Sequence, residues 1–129
     1  MKFELSQRFW FDAAHTLDRE IEREGSLRIH GHTYHAEVFV EGVRNPRTGM
    51  VMDLGHLRRE LAAVRDALDH RLLDEVPELG PPTLENLCVF IARKLSPQVP
   101  VTAVRVWRES VGDSCKLTLP PQPQADGTN

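Results

Sequence analysis

The sequence has 129 residues, of which 40% are hydrophobic, and a formal net charge of −3. This length and apolar content are typical of one globular domain with a packed core. The slight negative charge gives no electrostatic argument for a nucleic-acid or membrane partner, and no apolar run approaches the roughly 20 residues that span a bilayer.

The first half of the chain predicts a long hairpin. Residues 2–14 alternate between apolar and polar side chains, which predicts a strand. Residues 18–26, DREIEREGS, are charged and end in Gly-Ser, which favours a loop with a helical turn at most. Alternation returns over residues 28–41, and the turn-forming residues 45–49 then lead into a short predicted strand at 50–53.

Two helices are predicted next. Asp53 has the side chain of a helix N-cap, and an apolar stripe follows it at helical spacing. The stripe consists of Leu54, Leu57, Leu61, Val64 and Leu68. The proline- and glycine-rich segment 75–82 ends this helical region, and Thr83 is the predicted cap of a second helix that reaches about Leu95.

The remaining elements complete a four-stranded sheet. Residues 101–109 and 115–119 are predicted strands, and residues 120–129 a disordered tail. The order of two strands, two helices and two strands predicts an α+β fold, an antiparallel sheet with two helices on one face, in a single domain over 1–119. Open sheet edges favour oligomerisation.

The beginning of the chain and its cysteines indicate a cellular compartment. The residues MKFELSQRF lack the apolar middle of a signal peptide, which predicts a cytoplasmic protein. The two cysteines, Cys88 and Cys115, form no closely spaced pair and are expected to be free thiols.

A histidine pair is the first candidate for chemistry. In RIHGHTYH, His30 and His32 are two residues apart and therefore project from the same face of a strand. Two imidazoles supply half of a zinc site, and His15, at the end of the first strand, is the candidate third ligand. The alternative is an ordinary surface or core pair.

Three further segments carry candidate residues, and two of them permit two interpretations. Asp69 and His70 form a carboxylate–imidazole pair or, alternatively, a helix end stabilised by the imidazolium. The stretch PTLEN, with Thr83 and Glu85, reads as a helix cap. Glu109, which follows a strand on the face of Trp107, is a candidate for binding a flat, donor-rich heterocycle or is a surface acid.

Together these segments resemble the 6-pyruvoyltetrahydropterin synthase and 6-carboxytetrahydropterin synthase family. The resemblance rests on the ordered set FDAAHTL, RIHGHTYHAEV, TGMVMDLGHLRR, LDHRLLDEVP, PPTLENL and VRVWRES, which covers residues 3 to about 116. It implies a tunnelling fold, whose sheets close into a trimeric barrel. Two trimers would stack into a homohexamer with active sites at subunit interfaces.

The resemblance also implies site residues. His15, His30 and His32 match the zinc ligands, so that Zn2+ is the expected cofactor. Asp69 and His70 match the catalytic pair, in which His70 moves protons. Glu109 matches the glutamate that anchors the pterin ring, while Thr83 and Glu85 match the lining of the same pocket.

One departure from the family concerns the catalytic base. Where the family has a cysteine four or six residues before the HGH segment, this chain has Ser26 and Glu24. An unactivated hydroxyl is a far poorer base than a thiolate. Some family members use a glutamate of this loop instead, so Glu24 is the first candidate base, Glu22 the second and Ser26 the third. The alternative is that both glutamates are solvated loop charges.

The resulting expectation is a zinc-dependent lyase of the 6-carboxytetrahydropterin synthase type. Its substrate would be 7,8-dihydroneopterin triphosphate and its pathway that of 7-deazapurines such as queuosine. The alternatives are a cysteine-less relative that forms 6-hydroxymethyl-7,8-dihydropterin or another pterin, and a zinc- and pterin-binding protein without turnover.

Overall fold

A computed structural model describes residues 1–120. Its elements follow the predicted order, with one short helical turn that overlaps the charged segment 18–26, as the sequence allowed, and one 3-10 helix that was not predicted. They are β1 (Phe3–His15), α1 (Arg23–Leu27), β2 (His30–Gly42), α2 (Leu54–Leu68), a 3-10 helix (Leu73–Glu75), α3 (Leu84–Leu95), β3 (Val101–Arg108) and β4 (Asp113–Thr118). The predicted disordered tail, 120–129, lies outside the described residues from 121 onward.

The strands form one antiparallel sheet in the order β1-β2-β3-β4. β1 and β2 pair along their whole length, from Phe3 opposite Gly42 to His15 opposite His30. β2 also pairs with β3, which places His35 opposite Trp107, and β3 pairs with β4, which places Arg108 opposite Asp113. The predicted fold class, an α+β sheet with helices on one face, is therefore confirmed.

Both long helices begin at the predicted caps. The Asp53 carboxylate accepts a hydrogen bond from the backbone N–H of Gly55 at 2.8 Å, and the Thr83 hydroxyl accepts one from that of Asn86 at 3.1 Å. α2 lies against β1, and α3 lies against β3 and β4. Their apolar stripes form one buried cluster with the even-numbered residues 34–40 of β2, so the core lies between helices and sheet. None of the helices in residues 1–120 is long and apolar enough to cross a membrane.

The predicted short strand at 50–53 is wrong. Val51 and Met52 lie in bends, and the backbone N–H of Asn45 donates to the carbonyl of Met50 at 2.8 Å, which closes a turn. Asp53 must already adopt the N-cap conformation of α2, so the short segment before it has no length left for pairing.

The outer edge of β1 is partly covered by the segment after α2. The backbone N–H of His70 donates to the Asp12 carbonyl at 2.7 Å, and that of Ala14 donates to the Arg71 carbonyl at 3.0 Å. Ala14 and Leu72 form a parallel bridge. These bonds satisfy edge groups that would otherwise be unpaired and fix His70 beside the end of β1 that carries His15.

Candidate metal centre

Three histidines converge at one end of the β1–β2 ladder. His15 lies opposite His30, and His32 projects from the same face as His30. The ring centroid of His15 lies 4.6 Å from that of His30 and 5.0 Å from that of His32. One nitrogen from each ring falls within 4.8 Å of the others, a spacing that one metal ion could bridge.

Backbone carbonyls orient two of the rings. The Nδ1–H of His15 donates to the Pro82 carbonyl at 2.9 Å, and the Nδ1–H of His30 donates to the Arg28 carbonyl at 2.8 Å. Such bonds fix the tautomer and leave Nε2 with the lone pair, as in many metal-bound histidines. The His15 side chain is buried, and its Nε2 has no hydrogen-bond partner within residues 1–120.

This unpaired nitrogen tests the zinc hypothesis. A buried polar atom without a partner costs about 1–3 kcal/mol, so native structures rarely retain one without a ligand or water. Three neutral imidazoles with an open fourth position are also the donor set of catalytic zinc sites. The residues present therefore fit a zinc ion.

The surroundings of His15 and His32 favour the neutral form of each ring. Burial lowers the pKa of His15, although the Pro82 carbonyl partly opposes the shift. Burial, the Arg108 guanidinium and the neighbouring imidazoles lower the pKa of His32 to about 4. Neutral rings present lone pairs at neutral pH, which is the state that a metal ion needs.

Arg108 belongs to this centre, although sequence reasoning missed it. It ends β3 on the face of the histidines, and its Nη1 donates to Nε2 of His32 at 3.2 Å. Its Nη2 donates to Asp113 on β4, and its buried Nε has no partner among the described residues. The sequence did contain a signal for this residue. Successive side chains of a strand point to opposite faces, so Arg108 shares the inward face of Val104 and Val106.

The loop before β2 separates its two glutamates. Glu22 lines a cleft of about 510 Å³ together with the three histidines, Ser26 and Arg108. Its carboxylate accepts from Arg19 at 2.8 Å, and its backbone has a left-handed φ of 54°. Glu24, the first candidate from the sequence, does not line this cleft; its side chain is 88% exposed and pairs with Arg28.

Ser26 is buried at the same cleft. Its hydroxyl oxygen accepts a hydrogen bond from Nε of Arg19 at 2.8 Å, and its carbonyl accepts from the backbone N–H of Leu17 at 2.7 Å. No base that could activate the hydroxyl contacts it in the described chain. These contacts hold the loop against the end of β1.

Asp69 and His70 form the predicted carboxylate–imidazole pair. Nδ1 of His70 lies 2.9 Å from Oδ2 of Asp69. Asp69 also accepts the backbone N–H of Asp12 at 3.0 Å, and this bond is the main reason why its pKa is lowered, followed by its bonds to His70 and Arg65. His70, with a left-handed φ of 60°, is exposed and lines a cleft of about 550 Å³ together with His32.

The structure does not bring Glu109 to the histidines of the same subunit. Its carboxylate accepts from the indole N–H of Trp107 at 2.8 Å, and Trp107 stacks on His35, which faces away from His30 and His32. Thr83 and Glu85, by contrast, line a cleft of about 610 Å³ that includes His15.

The cysteines lie elsewhere, at the contact between α3 and β4. Both are free thiols, and the Cys88 sulfur lies 3.6 Å from the carbonyl oxygen of Cys115. Burial raises the pKa of Cys88 to about 12, so it remains a thiol at neutral pH. Neither can supply a thiolate to the histidine cleft.

Comparison with known proteins places this geometry in context. Residues 4–118 match the family described as 6-pyruvoyl tetrahydropterin synthase. A dihydroneopterin monophosphate aldolase of Pyrococcus furiosus is 36% identical over 100 residues, covering 78% of this chain and 81% of the relative. A 6-carboxy-5,6,7,8-tetrahydropterin synthase of Synechocystis is 37% identical over 97 residues, covering 70% and 73%. The structure of the Caenorhabditis elegans 6-pyruvoyl tetrahydropterin synthase has a TM-score of 0.80 and 27% identity, covering 93% of this chain and 97% of that one.

Proposed function

The chain belongs to the 6-pyruvoyl tetrahydropterin synthase family, and from this premise we propose that it is a zinc-dependent lyase that shortens the side chain of a phosphorylated 7,8-dihydroneopterin. The observation that carries the proposal is the cluster of His15, His30 and His32 with its unpaired buried Nε2. A zinc ion held there would supply Lewis acidity towards the side-chain hydroxyl groups of the substrate.

The reaction that we propose breaks a carbon–carbon bond by retro-aldol chemistry. A base removes the proton of the C2′ hydroxyl, and the C1′–C2′ bond breaks. A two-carbon aldehyde leaves with the phosphate, while the electron pair moves into the C6–N5 imine of the pterin. Protonation at C1′ then gives 6-hydroxymethyl-7,8-dihydropterin. All atoms are conserved, and neither an oxidant nor a reductant is needed.

The base that we propose suits this reaction. A carboxylate, with an ordinary pKa of about 4.3, is a weaker base than a thiolate at about 8.5, and suits an acidified hydroxyl better than a carbon acid. We propose Glu22 as the base because its side chain lines the cleft that contains the three histidines. Glu24, the first candidate from the sequence, could serve only if the loop turned its exposed side chain inward.

The Asp69–His70 pair is proposed to return the proton. A carboxylate held ionised by the Asp12 N–H orients the imidazole and stabilises its charged form. His70 shares a cleft with His32, which supports a position near the reacting side chain. The left-handed backbone of His70 is a local strain of the kind that often marks functional residues.

Recognition of the ring is proposed to involve two subunits. Glu109 has the acceptors to bind the amino and N–H groups of a pterin, but it faces away from the histidines of its own chain. We therefore propose that a neighbouring copy brings its Glu109 to this cleft, which Thr83 and Glu85 line. We accordingly propose the barrel and the homohexamer. Light scattering would test this, and a stable monomer at micromolar concentration would contradict it.

The second candidate is a 6-carboxytetrahydropterin synthase in the queuosine pathway. The 37% identity to the Synechocystis synthase favours it. The experiment that separates the two reactions is incubation of the zinc-loaded protein with 7,8-dihydroneopterin monophosphate or triphosphate, followed by mass analysis. A hydroxymethyl product supports the aldolase-type reaction, and a 6-carboxy product supports the synthase. Pterin binding without any product would refute both and leave a binding protein.

A further inference from the structure

The guanidinium of Arg108 is unusually placed for a residue that only joins two strands. Its side chain is 12% exposed and lies beside three imidazoles. Of its donors, Nη2 binds Asp113, Nη1 binds His32 and the buried Nε binds nothing among residues 1–120. A buried cation with an unmatched donor is costly, so an anionic ligand is expected to complete it.

The unmatched donor lies on the edge that oxyanions prefer. The Nε–H and Nη2–H groups of an arginine project in parallel from one edge and can bind one carboxylate or phosphate through two bonds. Asp113 takes only the Nη2 position, and its side chain is 51% exposed. Rotation of Asp113 into solvent would therefore give an incoming phosphate both donors.

A second arginine extends the positive surface. Arg19 and Arg108 both line the cleft that contains His30 and His32, and both line the adjoining cleft with Thr83 and Glu85. The carboxylate partner of Arg19, Glu22, is 75% exposed. Exposed ion pairs of this kind contribute little stability, so a phosphate dianion can compete for the guanidinium groups.

Metal binding would strengthen the case for an anion. Nε2 of His32 accepts from Arg108 and therefore carries the lone pair of the neutral ring. A metal ion that took this lone pair would deprive Nη1 of its acceptor. The guanidinium would then hold two unpaired donors beside the substrate cleft.

We propose that Arg108, assisted by Arg19, binds the phosphate group of the substrate and makes the enzyme select phosphorylated over unphosphorylated dihydroneopterin. This inference rests on the proposed function and names the part of the substrate that the site recognises. Arg108 is a specificity-determining residue, and the Asp113 carboxylate occupies the position of the phosphate until the substrate binds.

The test compares 7,8-dihydroneopterin monophosphate with 7,8-dihydroneopterin. Arg108→Gln is expected to lower kcat/KM for the phosphorylated substrate at least about tenfold, mainly through KM, because it loses a charge-assisted double hydrogen bond. The readout is therefore the ratio of kcat/KM for the phosphorylated to that for the unphosphorylated substrate, which should fall at least about tenfold even if the lost contact with His32 lowers activity on both. Arg93→Gln, which removes the same charge from an exposed position of α3, should change neither value.

Asp113→Asn separates recognition from strand pairing. If Asp113 is a stand-in for phosphate, the variant should bind the phosphorylated substrate more tightly. If the Arg108–Asp113 pair only joins β3 to β4, the variant should be as impaired as Arg108→Gln, and the proposal falls. Equal losses on both substrates in Arg108→Gln would overturn it as well. Should Arg108→Gln fail to fold, Arg108→Lys takes its place; it keeps the charge but loses the paired donors, so a smaller loss of selectivity, about threefold or more, is expected, and unchanged selectivity would overturn the proposal.

Binding of inorganic pyrophosphate to the zinc-loaded protein, measured by calorimetry, is independent of turnover. Affinity that falls at least about tenfold in Arg108→Gln supports the anion site even if no pterin is converted, in which case only the proposed function fails. Pyrophosphate affinity that is unchanged in Arg108→Gln overturns the anion site while leaving the lyase proposal intact.

Discussion

Zinc should stabilise this protein through its three histidines, and the double variant His30→Ala/His32→Ala should abolish that effect. Both side chains are only partly buried, so the variant should still fold around the unchanged core. His15 alone would then remain, and one imidazole cannot hold the ion tightly.

The magnitude follows from linkage. At a free zinc concentration a thousand times Kd, the parent should gain about 4.1 kcal/mol in its free energy of unfolding. Part of this gain comes from relieving the unpaired Nε2 of His15, a buried group whose isolation costs about 1–3 kcal/mol. With a urea m value of about 2 kcal/mol per molar, the unfolding midpoint should rise by about 2 M.

The assay is urea unfolding at 25 °C, followed by circular dichroism with and without zinc. His56→Ala is the matched control, because His56 is exposed on α2 and outside the cluster; it should keep the full zinc effect. The reasoning is refuted if zinc stabilises the double variant as much as the parent, or if the parent gains nothing and elemental analysis finds no bound metal.

Four further outcomes are expected. Glu22→Gln should reduce turnover about 100-fold by removing the proposed base, whereas Glu24→Gln should change it little; the reverse result would move the base to Glu24. Asp69→Asn should lower turnover at least about tenfold with zinc content unchanged. Full activity in this variant would show that the Asp69–His70 pair only stabilises the end of α2. Glu109→Gln should weaken pterin binding about tenfold or more, measured by fluorescence titration, and unchanged affinity would exclude it as the ring anchor. Finally, the metal-free protein should lose stability as pH falls from about 6.5 towards 4, because the unfolded chain protonates His32 while the folded chain, with its pKa lowered to about 4, does not. A His32→Asn variant with an equally steep pH dependence would contradict this.

Local patterns in the sequence determined the helices and strands and the shared face of two of the three clustered histidines. Alternation has a period of two and helices a period of 3.6, so strands and helices could be located from neighbouring residues alone. The same local rule placed His30 and His32 on one face. Caps at Asp53 and Thr83 were also predictable, because each depends on bonds within its own first turn. The strand predicted over residues 50–53 was wrong, because a pattern of four residues does not show whether a second strand lies close enough to pair with it.

The tertiary structure decided everything that depends on register and on the direction of a side chain outside regular elements. The pairing of β1 with β2 places His15 opposite His30, and nothing in either strand alone specifies that alignment. Alternation within β3 already indicates the faces of Arg108 and Glu109, but only the register between β2 and β3 brings Arg108 within hydrogen-bond distance of His32. The positions of Glu22 inside the cleft and Glu24 outside it depend on a left-handed residue at the start of α1. Sequence supplies the chemical groups through local periodicity, whereas long-range pairing selects which of them meet, because contacts between distant residues leave no periodic signal in the chain.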